Sequence, residues 1–172
     1  MKKSLFLAAA AGFAVANAAV AQQIISIGLL PSGNQSQVLG ISADGMAAAC
    51  AANAPEGPNM NFRAARWTPG GGLIDIGFPS GGQPYAQTTA ISSNGLTMAG
   101  TYINFLGTQD FRWTTAGGFQ TIPHLSGANN GFATGLSADG SIVVGWSFGG
   151  SLPFYGRATK WNGAGTPTGV AS

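Results

Sequence analysis

One short turn sequence occurs three times in this chain of 172 residues, and its spacing constrains the fold more than any single residue does. The three copies are Ser42-Ala43-Asp44-Gly45, Ser92-Ser93-Asn94-Gly95 and Ser137-Ala138-Asp139-Gly140. A basic residue and a tryptophan follow each copy, as Arg66-Trp67, Arg112-Trp113 and Lys160-Trp161. Similarity at a period in the mid-forties is typical of proteins built from stacked structural repeats. We therefore expect a repeat array rather than a fold built around one unique catalytic site.

Each repeat is predicted to contribute four short antiparallel β-strands, and no segment outside the N-terminal region has a convincing helical period. The repeats cover approximately residues 24–72, 73–118 and 119–165. Four antiparallel strands in a unit of ~46 residues match the size of a propeller blade. The predicted fold is all-β, with three tandem four-stranded units that form a partial β-propeller-like structure or an open array of blades.

Three signals support the strand prediction. An apolar strand followed by a proline, which suits a strand end, opens each repeat at Ile24 to Leu30, Leu73 to Phe78 and Phe119 to Ile122. Asp-Gly or Asn-Gly in the repeated turn favours a hairpin whose two central residues both adopt positive φ. The alanine-rich segment from Ala47 to Ala54 aligns with a strand of the third repeat, Val143-Val144, and is predicted to be a strand itself.

Residues 1–21 have the pattern of a secretory signal peptide. Lys2 and Lys3 precede an apolar run from Leu5 to Val15, and Ala19-Val20-Ala21 forms a small-residue cleavage site. The run is shorter than the ~20 residues of a membrane-spanning helix. Residues 22–172 are therefore predicted to be one exported β-repeat domain without a transmembrane helix, located outside the cell, at its surface or in the periplasm.

The charge of the mature chain excludes some partners. Residues 22–172 contain five basic and five acidic side chains, so the basic character of the full sequence comes from the signal peptide. Neither the basic face of a nucleic-acid-binding protein nor a polybasic membrane patch is visible. The single cysteine, Cys50, cannot form an intrachain disulfide, and it aligns with Gly100 and Gly145. We interpret it as a small residue in a tight strand position.

The repeated pattern resembles the HAF family of probable extracellular bacterial repeats. The stretches that carry the resemblance are Ile41-Ser42-Ala43-Asp44-Gly45, Arg66-Trp67-Thr68 and Leu73 to Pro79, and it extends over essentially all of the mature chain. It implies an extracellular location and a blade-like architecture more than an activity. The His-Ala-Phe triplet that names the family is absent, because the corresponding places read Arg63-Ala64-Ala65, Gln109-Asp110-Phe111 and Arg157-Ala158-Thr159.

The recurring basic and aromatic residues are the candidate ligand-binding residues: Arg66, Trp67, Arg112, Trp113, Lys160 and Trp161. Neighbours on a strand point to opposite faces, so each tryptophan is expected to be buried while the cation lines a groove for an anionic or sugar ligand. In the structural alternative, the cations pair with acids or stack on aromatic rings.

No catalytic residue, metal site or cofactor is assigned. Asp44, Asn94 and Asp139 offer too few carboxylates per turn for a calcium site. His124, the single histidine, has no nucleophile elbow beside it and is interpreted as a solvated loop residue.

The favoured function is that of a secreted or cell-surface, non-catalytic repeat protein with a binding, adhesion or structural role, or a fragment of a longer repeat protein. Its partner would be a surface glycan, a protein, or another copy of the chain, because open repeat ends expose strand edges that promote association. The alternative is a secreted carbohydrate-active hydrolase or lyase on a propeller scaffold, which would need two converging acids. The loops from Ala51 to Phe62, at 101–110 and at 146–156 differ most between repeats, and a specific partner is expected to be recognised there.

Overall fold

A computed structural model describes residues 24–56, 59–152, 156–163 and 168–169, and the predicted signal peptide lies outside these residues. The described chain contains β-strands and no helix. The strands are β1 (Ser36–Ile41), β2 (Ala48–Glu56), β3 (Asn59–Thr68), β4 (Gly72–Gly77), β5 (Gly82–Ile91), β6 (Thr97–Asn104), β7 (Gly107–Thr114), β8 (Gly118–Ile122), β9 (Asn130–Leu136), β10 (Val143–Phe148), β11 (Arg157–Trp161) and β12 (Thr168–Gly169).

The strands form three four-stranded antiparallel sheets in chain order, β1-β2-β3-β4, β5-β6-β7-β8 and β9-β10-β11-β12. Strand β5 packs across β1, β2 and β3 of the first sheet, and β9 packs across β5, β6 and β7 of the second. The sheets therefore stack face to face like consecutive blades. The predicted all-β fold of three four-stranded antiparallel units is confirmed, as is the strand predicted over the alanine-rich segment, which is β2.

The sheets are offset from the sequence repeats by one strand. Each sheet takes its fourth strand, β4 or β8, from the segment that opens the next repeat, and Pro79 and Pro123 follow these strands. The strand predicted from Ile24 to Leu30 is wrong, since this segment belongs to no strand. Strand β4 forms by pairing with β3, and no sheet precedes β1 in the described residues to pair with this segment. Ile27 and Leu30 instead pack against Cys50 and its neighbours on the first sheet.

The repeated turn does not have the predicted geometry. Positive φ occurs at its glycines, Gly45, Gly95 and Gly140 (71°, 69° and 75°), and not at the preceding Asp or Asn residues. In the first turn, the Ser42 amide donates to the Ala47 carbonyl at 2.9 Å, and the Gly45 amide donates to the Ser42 carbonyl at 3.0 Å. The turn is longer than a two-residue hairpin loop because the serine, and not the Asp-Gly pair, closes it.

The segments predicted to be variable loops are mostly the arms of long hairpins. Strands β6 and β7 stay paired from Thr97↔Thr114 to Asn104↔Gly107, so only the tip at Phe105-Leu106 is a loop. Strands β2 and β3 are paired in the same way from Ala48↔Trp67 to Glu56↔Asn59. The arms remain extended because their side chains, such as Thr101 and Tyr102, are buried.

Two apolar cores lie between adjacent sheets, and a third lies on the first sheet beneath Ile27 and Leu30. One cluster contains Ala64, Ala86, Tyr102 and Phe111 from the first two sheets. Another joins the second and third sheets through Ala99, Ile122, Ala133, Val143 and Trp161. Cys50 is fully buried, as expected for a small residue in a tight position, and burial raises the pKa of its thiol to about 11.

Candidate functional site

The recurring basic-aromatic pairs lie on the third strand of each sheet, with the two side chains on opposite faces. Trp67 packs on the face that carries Leu30 and Cys50, and Trp161 is buried between the second and third sheets. The basic residues occupy one cross-strand position, because Arg66 is opposite Ala49, Arg112 is opposite Ala99 and Lys160 is opposite Val144. Each tryptophan thus lies on the side of its sheet that is turned towards the N-terminal end of the stack, which we call the preceding side. Each cation lies on the opposite side, which is turned towards the next sheet and which we call the following side.

The arginines contact the turn of the next sheet. The Arg66 Nε and Nη2 atoms donate to the Gly95 carbonyl at 3.2 and 3.0 Å, and Arg112 Nε donates to the Gly140 carbonyl at 2.9 Å. Lys160 is exposed, and its side chain has no hydrogen bond or ion pair to any residue that the structure describes. These contacts favour the structural alternative for the arginines, and ligand binding by the six recurring residues stays a prediction.

The turns of successive sheets are also joined through their backbones. The Ala43 amide donates to the Ser93 carbonyl at 3.0 Å, and the Ser93 amide donates to the Ala138 carbonyl at 2.8 Å. A Cβ atom at Gly95 would lie 2.6 Å from the Ala47 Cβ, so a larger residue would push the turns apart. The repeated motif is therefore an inter-sheet contact in which the earlier sheet donates and the later sheet accepts.

The acidic residues of the turns are occupied locally. Asp44 Oδ1 accepts hydrogen bonds from Ser42 Oγ at 2.7 Å and from the Met46 amide at 2.9 Å, and these bonds hold the pKa of Asp44 below its usual value. The equivalent bonds from Ser137 and Ser141 lower the pKa of Asp139 to about 2. Across the described ranges, no group of three or more His, Cys, Asp or Glu side chains is placed to hold a metal ion.

A buried carboxyl group, which sequence reasoning missed, joins the second and third sheets. Asp110 Oδ1 accepts a hydrogen bond from the Ala133 amide at 2.7 Å, and its side chain is buried. Desolvation raises its pKa to about 7. Alignment of the repeats could have revealed this residue. Asp110 occupies the position that is alanine in the other two repeats, at Ala64 and Ala158.

His124 lies beside this carboxyl group. A methyl group at Gly131 would collide with both Asp110 Oδ2 and His124 Cδ2. The ring is half-buried, its Nε2 is buried without a hydrogen-bond partner, and desolvation lowers its pKa. The prediction of a solvated histidine is wrong, because the loop after β8 packs against the sheets instead of extending into solvent.

The tip of the β6–β7 hairpin, residues 103–106, is the most exposed apolar element among the described strands and turns. Phe105 is 89% exposed and Leu106 is 76% exposed. The Leu106 amide donates to Asn104 Oδ1 at 2.8 Å, which holds the turn. The hairpin is anchored to the third repeat next to this tip, since the Thr108 amide donates to Asn130 Oδ1 at 2.9 Å. The tip thus presents two large apolar side chains on a fixed support.

The chain is similar to solved structures in fold alone. No family model and no curated protein matches it. A putative TolB from Agrobacterium tumefaciens is 14% identical with a TM-score of 0.55, over 81% of this chain and 50% of that one. TolB from Acinetobacter baumannii is 13% identical with a TM-score of 0.50, over 78% of this chain and 30% of that one. The chain thus spans half of the first structure, and the stacked sheets resemble part of the TolB β-propeller. No helix in the described residues is long and apolar enough to cross a membrane.

Proposed function

We propose that this chain is an exported, non-catalytic β-repeat protein that binds a partner protein through the β6–β7 tip. The observation that carries the proposal is the exposure of Phe105 and Leu106 on an anchored hairpin. Exposed apolar side chains grouped on a soluble protein mark interaction sites, and aromatic residues are enriched in protein interfaces. Because the tip is held in place, binding needs little ordering of the loop.

Charge and shape favour a protein over the other candidate partners. Residues 101–110 contain no Lys or Arg, so the tip lacks the cations that draw amphipathic elements to anionic membranes. A sugar or another small ligand is usually held in a concave site with convergent polar groups, whereas the β6–β7 tip projects apolar side chains. An apolar pocket on a protein surface is the chemistry that fits it.

The environments of the acidic residues support a role without catalysis. Asp44 and Asp139 are hydrogen-bonded within their turns, Asp110 is buried between sheets, and Asp75 lies 3.9 Å from Arg63. A carbohydrate-active enzyme would need two carboxyl groups converging on one substrate. The acids whose side chains the structure describes are distributed over separate turns and interfaces instead.

The signal-peptide pattern and the resemblance to HAF repeats support export. Mass spectrometry of the exported protein is expected to find Gln22 at or near its N-terminus, because the cleavage site precedes that residue. An intact Met1 on the exported protein would contradict cleavage.

Site-specific photo-crosslinking tests the binding site. A benzophenone side chain replaces Phe105 in cells that export the protein, and a matched probe replaces Ile74, which is 46% exposed on β4. One crosslinked protein is expected from position 105 and none from position 74. Its yield should fall when Leu106→Ser removes the second apolar side chain of the tip.

The other outcomes have distinct signatures. Equal crosslinking from both positions, or a yield unchanged by Leu106→Ser, would contradict the proposed site. Binding of residues 22–172 to a glycan array with no effect of Phe105→Ser would favour a glycan partner. Release of reducing sugar from a polysaccharide would favour the hydrolase or lyase alternative.

A further inference from the structure

We propose that closing the contact between the second and third sheets moves one proton from His124 to Asp110, so that both side chains are buried without charge. The contact is the one in which Asp110 of β7 meets β9. It does not depend on what the β6–β7 tip binds. Three observations lead to the proposal: the few partners of the Asp110 carboxyl group, the unpartnered nitrogen of His124, and the scarcity of other charges around them.

The Asp110 carboxyl group receives one hydrogen bond in the described structure. The residue is 7% exposed, and its Oδ1 atom accepts from the Ala133 amide of the third sheet at 2.7 Å. Thr101 is directly opposite Asp110 on β6, but its buried hydroxyl group donates no hydrogen bond to the carboxyl group. A carboxylate is rarely buried without a cation or several donors. Asp110 therefore fits this place as a neutral acid, and desolvation raises its pKa to about 7.

The imidazole ring of His124 fits its place without charge for a related reason. An imidazolium ion carries an N–H donor on both nitrogens, and a donor at Nε2 would be buried without an acceptor among the described residues. The next residue fixes the segment to the third sheet, since the Leu125 amide donates to Ser147 Oγ at 3.3 Å. Desolvation lowers the pKa of His124. The ring is therefore expected to lose its proton when the contact closes.

The two side chains are neighbours across the contact. A methyl group at Gly131 of β9 would collide with both the Asp110 carboxyl group and the His124 ring. The structure nevertheless contains no hydrogen bond between Nε2 and either carboxyl oxygen. A buried ion pair stabilises a protein only when its geometry and hydrogen bonds are good. Two neutral groups therefore fit this arrangement better than a carboxylate beside an imidazolium ion.

The elements around Asp110 bring few other charges to it. Strands β8, β9 and β10 contain no Asp, Glu, Lys, Arg or His, and His124 is the one titratable residue between β8 and β9. On β6, Tyr102 lies on the other side of the sheet. On β7, Arg112 lies on the same side as Asp110, and its Nε atom donates to a turn carbonyl of the third sheet. Arg157 of β11 is exposed. Among the described residues, none forms an ion pair with Asp110.

Closing the contact transfers a proton because the two pKa values move in opposite directions. Between pH 3.8 and 6.5 the open contact has an ionised carboxyl group and a protonated imidazole, since both groups then have their ordinary pKa values. On closing, an imidazole nitrogen loses a proton and a carboxylate oxygen gains one, so the positive and the negative charge both disappear. Asp110 alone would weaken closing as the pH rises through this range, and His124 alone would weaken it as the pH falls. Together they make closing less dependent on pH than either group alone would.

Hydrogen exchange at the Ala133 amide measures how often the contact opens, because this amide donates to Asp110. Its protection, corrected for the intrinsic exchange rate, is compared at about pH 5 and 6.5. In His124→Gln, protection should fall as the pH rises, by up to about tenfold per pH unit, because only Asp110 then takes up a proton on closing. In Asp110→Asn, which keeps an acceptor for the amide, protection should rise with pH. The unsubstituted chain should lie between the two variants, and the double variant should not respond to pH.

The Ala47 amide provides the control for global unfolding. It is buried in the first sheet and donates to Ser42 Oγ at 2.9 Å. Its protection should have the same pH dependence in all four chains, because Asp110 and His124 lie at another contact. If protection at Ala133 also has the same pH dependence in all four chains, the proposal is wrong.

Infrared spectroscopy locates the proton without relying on hydrogen exchange. At about pH 5 the unsubstituted chain should have an absorption band of a buried protonated carboxyl group, and Asp110→Asn should lack it. The band should disappear as the pH rises through about 7. Absence of this band from the unsubstituted chain at about pH 5 would show that the pair stays ionised, and it would overturn the proposal.

Discussion

At the scale of the residue, the ionisation of Asp110 is the feature that couples the fold to pH. Its pKa is about 7 in the folded chain, against 3.8 for an unperturbed carboxyl group. Between these values the unfolded chain loses the proton while the folded chain keeps it. The contribution of Asp110 to the free energy of unfolding is therefore full below pH 3.8, falls as the pH rises to about 7, and is constant above that.

We expect Asp110→Asn to remove this loss of stability. The Asn Oδ1 atom can still accept the hydrogen bond from the Ala133 amide, and no charge is buried at high pH. The variant should exceed the unsubstituted chain by about 1–3 kcal/mol in unfolding free energy at pH 8, with no such gain at pH 4. Urea unfolding at pH 4, 6 and 8 measures the difference.

His124 acts in the opposite direction. Its pKa is lowered in the folded chain, so its contribution is present above pH 6.5 and is lost as the pH falls. Because His124 lies beside Asp110, the comparison is repeated in a His124→Gln background, which removes the histidine's contribution from both chains. Parallel profiles for Asp110→Asn would show that the buried carboxyl does not control the pH dependence.

At the scale of the element, the repeated turn is stabilised by the hydroxyl of its first residue. Ser92 is fully buried, and its Oγ atom accepts from the Thr97 amide at 3.0 Å and donates to Asn94 Oδ1 at 2.8 Å. Ser42 and Ser137 make the equivalent bonds to Ala47 and Ile142. The sequence pattern showed the serine, but closure of the turn was attributed to the Asp-Gly pair. A hydrogen bond between a hydroxyl and an amide five residues away cannot be recognised from the sequence, because it produces no periodic pattern.

Ser92→Ala is expected to lower the unfolding free energy by about 1–3 kcal/mol, since the buried Thr97 amide loses its acceptor. Ser93→Ala, at the exposed neighbouring position, should change it by less than about 0.5 kcal/mol. Denaturant unfolding of the two variants side by side measures both values. Equal costs at the two positions would mean that the hydroxyl does not stabilise the turn.

The inter-sheet arginine gives a second prediction for the elements. Arg66→Met keeps an apolar stem but removes both hydrogen bonds to the Gly95 carbonyl, and it should lower the unfolding free energy by about 1–3 kcal/mol. Lys160→Met at the equivalent position of the third sheet should cost almost nothing, because the Lys160 side chain contacts no following sheet among the described residues. Denaturant unfolding of both variants measures the two losses. Similar losses for the two variants would show that the arginine contact does not stabilise the stack.

At the scale of the whole molecule, stability should depend on protein concentration. Two cores lie between sheets and a third lies on the first sheet under Ile27 and Leu30, whereas the side of the third sheet that carries Val144 and Trp146 is exposed by 43% and 40% at these residues. A partner that binds the folded state raises the melting temperature by mass action. We therefore expect the Tm of residues 22–172 to rise with protein concentration, and that of Trp146→Asp to remain constant. Calorimetry over a wide concentration range provides the measurement, and a constant Tm for both would contradict association through this exposed side of the third sheet.

Local patterns in the sequence were sufficient to predict three units, an all-β fold, the turn positions and the buried place of Cys50. These features depend on nearby residues, since glycine, proline and alternating apolar side chains restrict the backbone over a few positions. Local patterns did not predict the structure of Ile24 to Leu30 correctly. This segment has the sequence pattern of β4, but no described strand is available to pair with it. A strand exists only where a partner supplies hydrogen bonds, and that condition is not local.

The tertiary structure alone decided what the recurring residues contact. Arg66 reaches a carbonyl 29 residues further along the chain, and Asp110 is buried by a sheet formed later in the sequence. Ala51, Thr101 and Trp146 occupy the same register position in the three sheets. The next sheet covers Ala51 and Thr101, whereas Trp146 is exposed because no described sheet packs on that side of the third sheet. Sequence by itself determined the repeated unit, and the stacking of the sheets determined which faces are filled and which remain open for a partner.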